Sequence, residues 1–170
     1  MPLLKGTKRV DDAWGHAESA EDLPPSGPVI VPLSVWEANR DSLRARNTPL
    51  GVRLEPGETP ERIAEDLDRL EVVALAFPKF TDGRAYSYAS LLRERYGYSG
   101  ELRAVGNVQR DQALFMWRCG FDAFDVDDES EAQAWEAALQ RYSVAFQPAA
   151  RDNAAPAPWR PHARSTANRS

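Results

Sequence analysis

The sequence predicts an α/β fold: a mostly parallel sheet of about five strand–helix units, covered by helices in a doubly wound or half-barrel-like arrangement. Three observations carry that expectation. Apolar runs of strand length recur from Pro28 onward, each is followed by a segment with helical spacing, and the runs show little polar alternation. Strands buried on both faces have that character, and a regular succession of strand and helix reads as a parallel sheet because right-handed crossovers join parallel neighbours.

The elements follow in order. Pro28 to Leu33 is the first strand, and Ser34 opens a helix carrying Val35, Trp36, Asn39, Arg40 and Leu43. Leu50 to Leu54 is the second strand. After the Pro56-Gly57 turn, Thr59 and Pro60 supply an N-cap and first-turn proline for a helix with Ile63, Leu67 and Leu70 along one face. Val72 to Phe77 is the third and most apolar strand, and its helix runs from about Ala85 to Tyr96, with Gly97 at its end. Glu101 to Val105 is the fourth strand. It leads to a helix from about Val108 to Cys119, capped by Asn107 and closed by Gly120. Phe121 to Val126 forms a short fifth strand, and Ser130 caps a last helix with Ala132, Trp135, Leu139 and Tyr142 at three- and four-residue spacing.

This grammar places one α/β domain over residues 28–147. Residues 1–27 form a partly flexible N-terminal extension, in which Arg9 to Trp14 either add an edge strand or drape over the domain. Residues 148–170, with four arginines, one aspartate and repeated Pro and Ala, read as a disordered tail.

Composition excludes several function classes. With 21 Lys and Arg against 26 Asp and Glu, the net charge of -5 argues against general nucleic-acid binding, which needs a basic face. No apolar run of membrane-spanning length and no secretory signal are present, and a lone cysteine, Cys119, cannot form an internal disulfide, so the expected compartment is the cytoplasm. Cys119 reads as a small buried side chain. The two histidines, His16 and His162, lie outside residues 28–147, which disfavours a histidine-dependent catalytic triad or zinc site there. Neither a dinucleotide-binding glycine fingerprint nor a P-loop occurs, so no cofactor is expected. A receiver-type phosphoacceptor domain is excluded as well: the acidic positions it needs are occupied by Leu33-Ser34 and Phe77-Pro78.

Two loops carry the functional signal, Phe77 to Ser87 and Gly106 to Gln112, each between a strand and a helix. Ligands of open α/β sheets bind at the carboxyl ends of strands, so these loops are expected to meet at one mouth. Arg84 and Arg110, each near a predicted helix start, suit an oxyanion such as sulfite, sulfate, phosphate or a carboxylate; the competing reading is salt bridging to Asp82 and Asp111. Asn107, Tyr86, Ser87 and Gln112 are the other candidate ligand-binding residues, with helix capping as the alternative for Asn107 and Ser87. Asp82 and Lys79 are the candidate acid–base groups, against turn chemistry and a solvated lysine. The run Asp125, Asp127, Asp128 and Glu129 is either a cation site or a solvated helix start.

The stretch from Pro28 to about Val126 resembles a family of uncharacterised bacterial proteins, the domain of unknown function 934 family. The resemblance is carried by Val31-Pro32-Leu33 with Trp36, Arg46-Asn47, Leu50-Gly51-Val52, the run Phe77 to Ser87, Leu91-Leu92-Arg93, Gly100 to Gly106, Arg110-Asp111-Gln112 and Gly120-Phe121-Asp122. Members are commonly encoded beside a sulfite reductase haemoprotein, and some carry the label of probable oxidoreductase. The resemblance implies an accessory role in assimilatory sulfite or sulfate reduction, with sulfite reductase as partner and a small oxyanion or redox partner bound at the strand-end loops. The alternative is a metal-independent enzyme acting on a phosphorylated or carboxylated metabolite at the same loops. Neither nucleic acid nor membrane is an expected partner.

Overall fold

The computed structural model describes residues 2–79 and 82–145, with side chains to Arg141. The predicted tail from residue 148 lies outside the described residues, as do Phe80 and Thr81 of the first loop. Strands β1 (Pro2–Lys5), β2 (Lys8–Asp11) and β3 (Gly15–His16) come first. They are followed by β4 (Val29–Pro32), α1 (Leu33–Ala38), α2 (Arg40–Arg44), β5 (Leu50–Leu54), β6 (Val72–Phe77) and α3 (Arg84–Glu94). The described residues end with β7 (Glu101–Gly106), α4 (Ala113–Cys119), β8 (Ala123–Asp125) and α5 (Glu129–Ala145).

All eight strands form one curled, half-barrel sheet in the order β2-β1-β8-β7-β6-β5-β4-β3. From β3 to β8 every neighbour pair is parallel, whereas β1 pairs antiparallel with both β2 and β8. The sheet is thus mixed, not mostly parallel as the sequence predicts. The correction arises in residues 1–27: Leu3 and Leu4 are buried, and β1 lies inside the sheet with partners on both sides. A run as short as Pro2–Lys5 carries too little periodicity to be recognised as a strand, and its partner β8 is remote in sequence.

Five regular strand–helix units do not appear either. Helices of ten residues or more follow only β6 and β8 among the described residues. The first predicted helix is broken at Asn39, whose backbone leaves the helical region while its side-chain amide donates to the Val35 carbonyl. After β5, residues Pro60–Asp66 form a 3-10 segment in place of an α-helix. Asp66 is drawn into the core there, accepting from the Trp36 indole at 3.1 Å and pairing with Arg40 and Arg44. Asn107 does not cap the next helix; its backbone N–H donates to the Phe77 carbonyl, and a 3-10 turn at Arg110–Gln112 precedes α4. Asp128, not Ser130, caps α5, accepting from the Glu131 N–H at 2.8 Å.

Strand alternation divides the side chains between two faces. Leu50, Val52, Leu54, Val73, Leu75, Phe77, Leu102, Ala104 and Phe124 meet the helices in the main core. Ile30, Val72, Ala74, Ala76 and Val105 form a smaller cluster on the other face, with Trp14 against it. That second face is the inner one. Seven interstrand steps of about 4.8 Å would put the edges of a flat sheet about 34 Å apart, yet the link from Asp11 to Gly15 can span only about 15 Å. The sheet therefore curls, and residues 12–14 cross its hollow side, where Asp12 meets Arg103 and Trp14 covers the small apolar cluster.

Gly106 ends β7 at φ +90°, and a Cβ built there would lie 2.7 Å from the Phe77 carbonyl oxygen. Both the dihedral and the contact are incompatible with a side chain. Gly106→Ala is expected to cost about 1–3 kcal/mol, read as a lower denaturation midpoint in guanidinium.

Candidate functional site

The carboxyl ends of β5, β6, β7 and β8 converge on a cavity of about 400 Å³ lined by Arg53, Glu55, Ala76, Phe77, Pro78, Val105, Gly106 and Asp125. Its open side is supplied by His16 and Glu18, which follow the crossing segment. Two residues below the rim on the same face of β7 lies Arg103, and opposite it Asp12. The mouth thus combines parts from both ends of the described chain.

Its charges are ordered. The two Nη groups of Arg53 donate to the two carboxylate oxygens of Glu18 at 2.7 and 3.0 Å, while Nε donates to Glu55 at 2.9 Å. The Arg53 hydrogen bond holds the Glu18 carboxyl below its usual range, so Glu18 is anionic at neutral pH. Arg103 is almost wholly buried, with Nη1 on Asp12 at 2.7 Å and Nε on Glu101 at 2.8 Å; Lys5 takes the second Glu101 oxygen at 2.9 Å. Its Nη2 has no hydrogen-bond partner among the described residues. A buried N–H left unpaired is costly to the fold. Burial raises the Asp125 carboxyl, with Arg103 and His16 opposing and Asp12 adding to the shift.

Asp125 and Gly106 also line a second cavity of about 630 Å³ on the other side of the rim, formed by residues 108–111, residues 126–128 and Glu131, Trp135 and Ala138 of α5. Arg110 belongs here, as the one cation among Asp111, Asp125, Asp127, Asp128 and Glu131. Such a surround attracts cations and repels anions. Among the described residues no cluster of three or more His, Cys, Asp or Glu side chains is arranged to hold a metal.

The sequence-predicted residues scatter. Arg84 is not in either cavity wall: Nε and Nη2 donate to the two oxygens of Asp82 at 3.0 and 2.7 Å, and Nη1 lies near Gly57. Asp82 also accepts from the Arg84 backbone N–H, and the Arg84 side chain holds its carboxyl low, which makes it a weak base. Lys79 is exposed, its carbonyl accepting from the Asp82 N–H in the turn. Tyr86 packs among Phe77, Phe115 and Phe121, and burial raises its phenol. Ser87 and Asn107 are exposed, and Gln112 is half-buried with its N–H on the Gln109 carbonyl. Cys119 is half-buried, with a thiol raised by burial.

The residues that sequence reasoning passes over are His16, Glu18 and Arg53 in the mouth and the Asp12–Arg103 pair on the inner face below it. Their signal is an arginine in the middle of each of two apolar strands, Leu50–Leu54 and Glu101–Gly106. Long cations rarely occupy buried strand positions unless paired or functional.

Among the described residues no helix is long and apolar enough to cross a membrane. The sequence profile described as bacterial protein of unknown function, DUF934, matches residues 51–157. No curated protein and no solved structure matches the chain.

Proposed function

Because the chain belongs to the DUF934 family of bacterial proteins of unknown function, we propose on the strength of its own mouth that it is a small-oxyanion-binding accessory protein of sulfite or sulfate reduction. It would act in the cytoplasm beside sulfite reductase. Arg53 is the observation that carries the binding part: a guanidinium in the wall of the strand-end cavity, with both Nη groups turned as a fork toward its open side. The cavity opens at the strand ends, where parallel sheets bind ligands. Arginine is suited to oxyanions because its fork makes paired contacts to their oxygens. The sulfur context rests on the family resemblance alone.

The proposed site lies on the parallel run from β3 to β8, six of the eight strands. Arg84, paired with Asp82, and Arg110, set among carboxylates, give way to Arg53 as the proposed anion contact.

The test is thermal unfolding of the purified protein with sulfite, sulfate or phosphate. A ligand at 100 times its Kd is expected to stabilise the fold by about 2.7 kcal/mol. Chloride at equal ionic strength should do much less, and Arg53→Gln should remove the difference. Equal response to every salt overturns the reading.

Asp125 favours a second reading, a metal-independent enzyme. Its carboxyl, raised by burial and placed at the junction of both cavities, is suited to proton transfer. Conversion of a bound carboxylated or phosphorylated compound by the wild type but not by Asp125→Asn would replace the first reading with this one.

A further inference from the structure

Arg53 is the one cation of the mouth whose paired donors face the open side, and they are already taken. We propose that Glu18 is a built-in occupant of the Arg53 fork, and that the ligand of the mouth is an anion with an O–X–O edge, a carboxylate or a sulfur oxyanion, that replaces it. This rests on the anion-binding reading above and adds how that site is controlled.

The contact has the geometry of a ligand complex. Both Nη groups of Arg53 meet both oxygens of Glu18 end-on, which is how arginine receives a free carboxylate. The two partners are held unequally. Arg53 is 23% exposed, fixed on β5 with Nε tied to Glu55, whereas the Glu18 side chain is 63% exposed and approaches from solvent. The backbone just before Glu18 is anchored, since Ala17 is buried and its N–H donates to the Ile30 carbonyl. Withdrawal of the carboxylate therefore needs only a change of side-chain rotamer. Ion pairs this exposed are weak, so an external anion competes on favourable terms.

Glu55 does not play the same part. It takes only the Nε edge, and its own backbone N–H is tied to Glu58 at 2.8 Å. Removing either glutamate deletes one negative charge beside Arg53, but only loss of Glu18 frees the fork. That difference separates displacement from general electrostatics.

The experiment is isothermal titration of the full chain with acetate, sulfite and sulfate at fixed ionic strength, comparing wild type, Glu18→Ala, Glu55→Ala and Arg53→Gln. Glu18→Ala is expected to bind about fivefold more tightly, the worth of an exposed pair, and Glu55→Ala less than about twofold. Arg53→Gln should bind none of the three. A preference for acetate would identify a carboxylate ligand, and a preference for sulfite or sulfate a sulfur oxyanion. Unchanged affinity in Glu18→Ala, or equal gains in both alanine variants, overturns the occupant reading while leaving the anion site standing. If no anion binds to folded wild type or to Glu18→Ala, both readings fall. Should Arg53→Gln not fold, the two alanine variants decide the matter by themselves.

Discussion

Arg103→Ala is expected to lose about 3–5 kcal/mol of stability, because it strands buried carboxylates without their cation. Asp12 and Glu101 are 10% and 7% exposed, and both are paired to this one guanidinium. Lys5 remains for Glu101, but no other cation is seen to pair with Asp12 among the described residues. The effect reaches beyond charge: the Asp12 contact pins residues 12–14 over the inner face, with Trp14 next in line against Ile30, Val72, Ala74, Ala76 and Val105. Urea unfolding measures the loss. Adding Asp12→Asn to Arg103→Ala is expected to return part of it by removing the stranded charge, so the pair is non-additive. A loss below about 1 kcal/mol for the single variant would mean that the ion pair does not hold the crossing segment.

Arg93→Met is expected to cost a similar amount, about 3–5 kcal/mol, for a different reason. The Arg93 side chain, 4% exposed, donates Nε to the Gly120 carbonyl, Nη1 to the carbonyls of Tyr98 and Gly100, and Nη2 to Asp122. It ties the ends of α3 and α4 to the starts of β7 and β8. Gly120, at φ +112°, leaves room for it, since a Cβ there would lie 2.6 Å from the arginine Cγ. Methionine fills the stem but supplies no donors.

The same cluster sets a pH dependence. Burial pushes the Asp122 carboxyl up to about 6, against the opposing pull of Arg93 and of the Leu102 N–H. The folded state therefore holds a proton that the unfolded state has released between about pH 4 and 6. This contribution is fully present below pH 4 and is lost as pH rises through 6. The stability of wild type relative to Asp122→Asn should fall across that window, by about 3 kcal/mol at most. Melting temperatures of both proteins at half-unit steps from pH 4 to 7 test it, and a constant difference would show that Asp122 titrates normally.

Much of the scaffold is legible in the sequence because the relevant signals are local. The strand at Leu50–Leu54 and that at Val72–Phe77 are bounded as their apolar runs are, and Gly120 stops α4 where expected, while α3 ends at Glu94, short of Gly97. What escapes is long-range. Leu3 and Leu4 are two apolar residues in a polar neighbourhood until β8 gives them a partner. The candidate site escapes for the same reason. Arg84 and Arg110 sit in conspicuous loops, but Asp82 lies two residues from one and a carboxylate-rich wall surrounds the other. Arg53 and Arg103 are set inside strands, where their meaning depends on which face the pleat turns inward.

The position of β1 bears on how the chain reaches this state. Its partner β8 is synthesised after β2 to β7, and the Arg103–Asp12 contact joins positions 91 residues apart. During translation Leu3 and Leu4 therefore have no surface to bury against until nearly all of the domain has emerged. Closing so distant a pairing is entropically costly, which makes docking of the first two strands a late and slow event in folding. An intermediate with β3 to β8 assembled and the inner face uncovered is the species most exposed to aggregation.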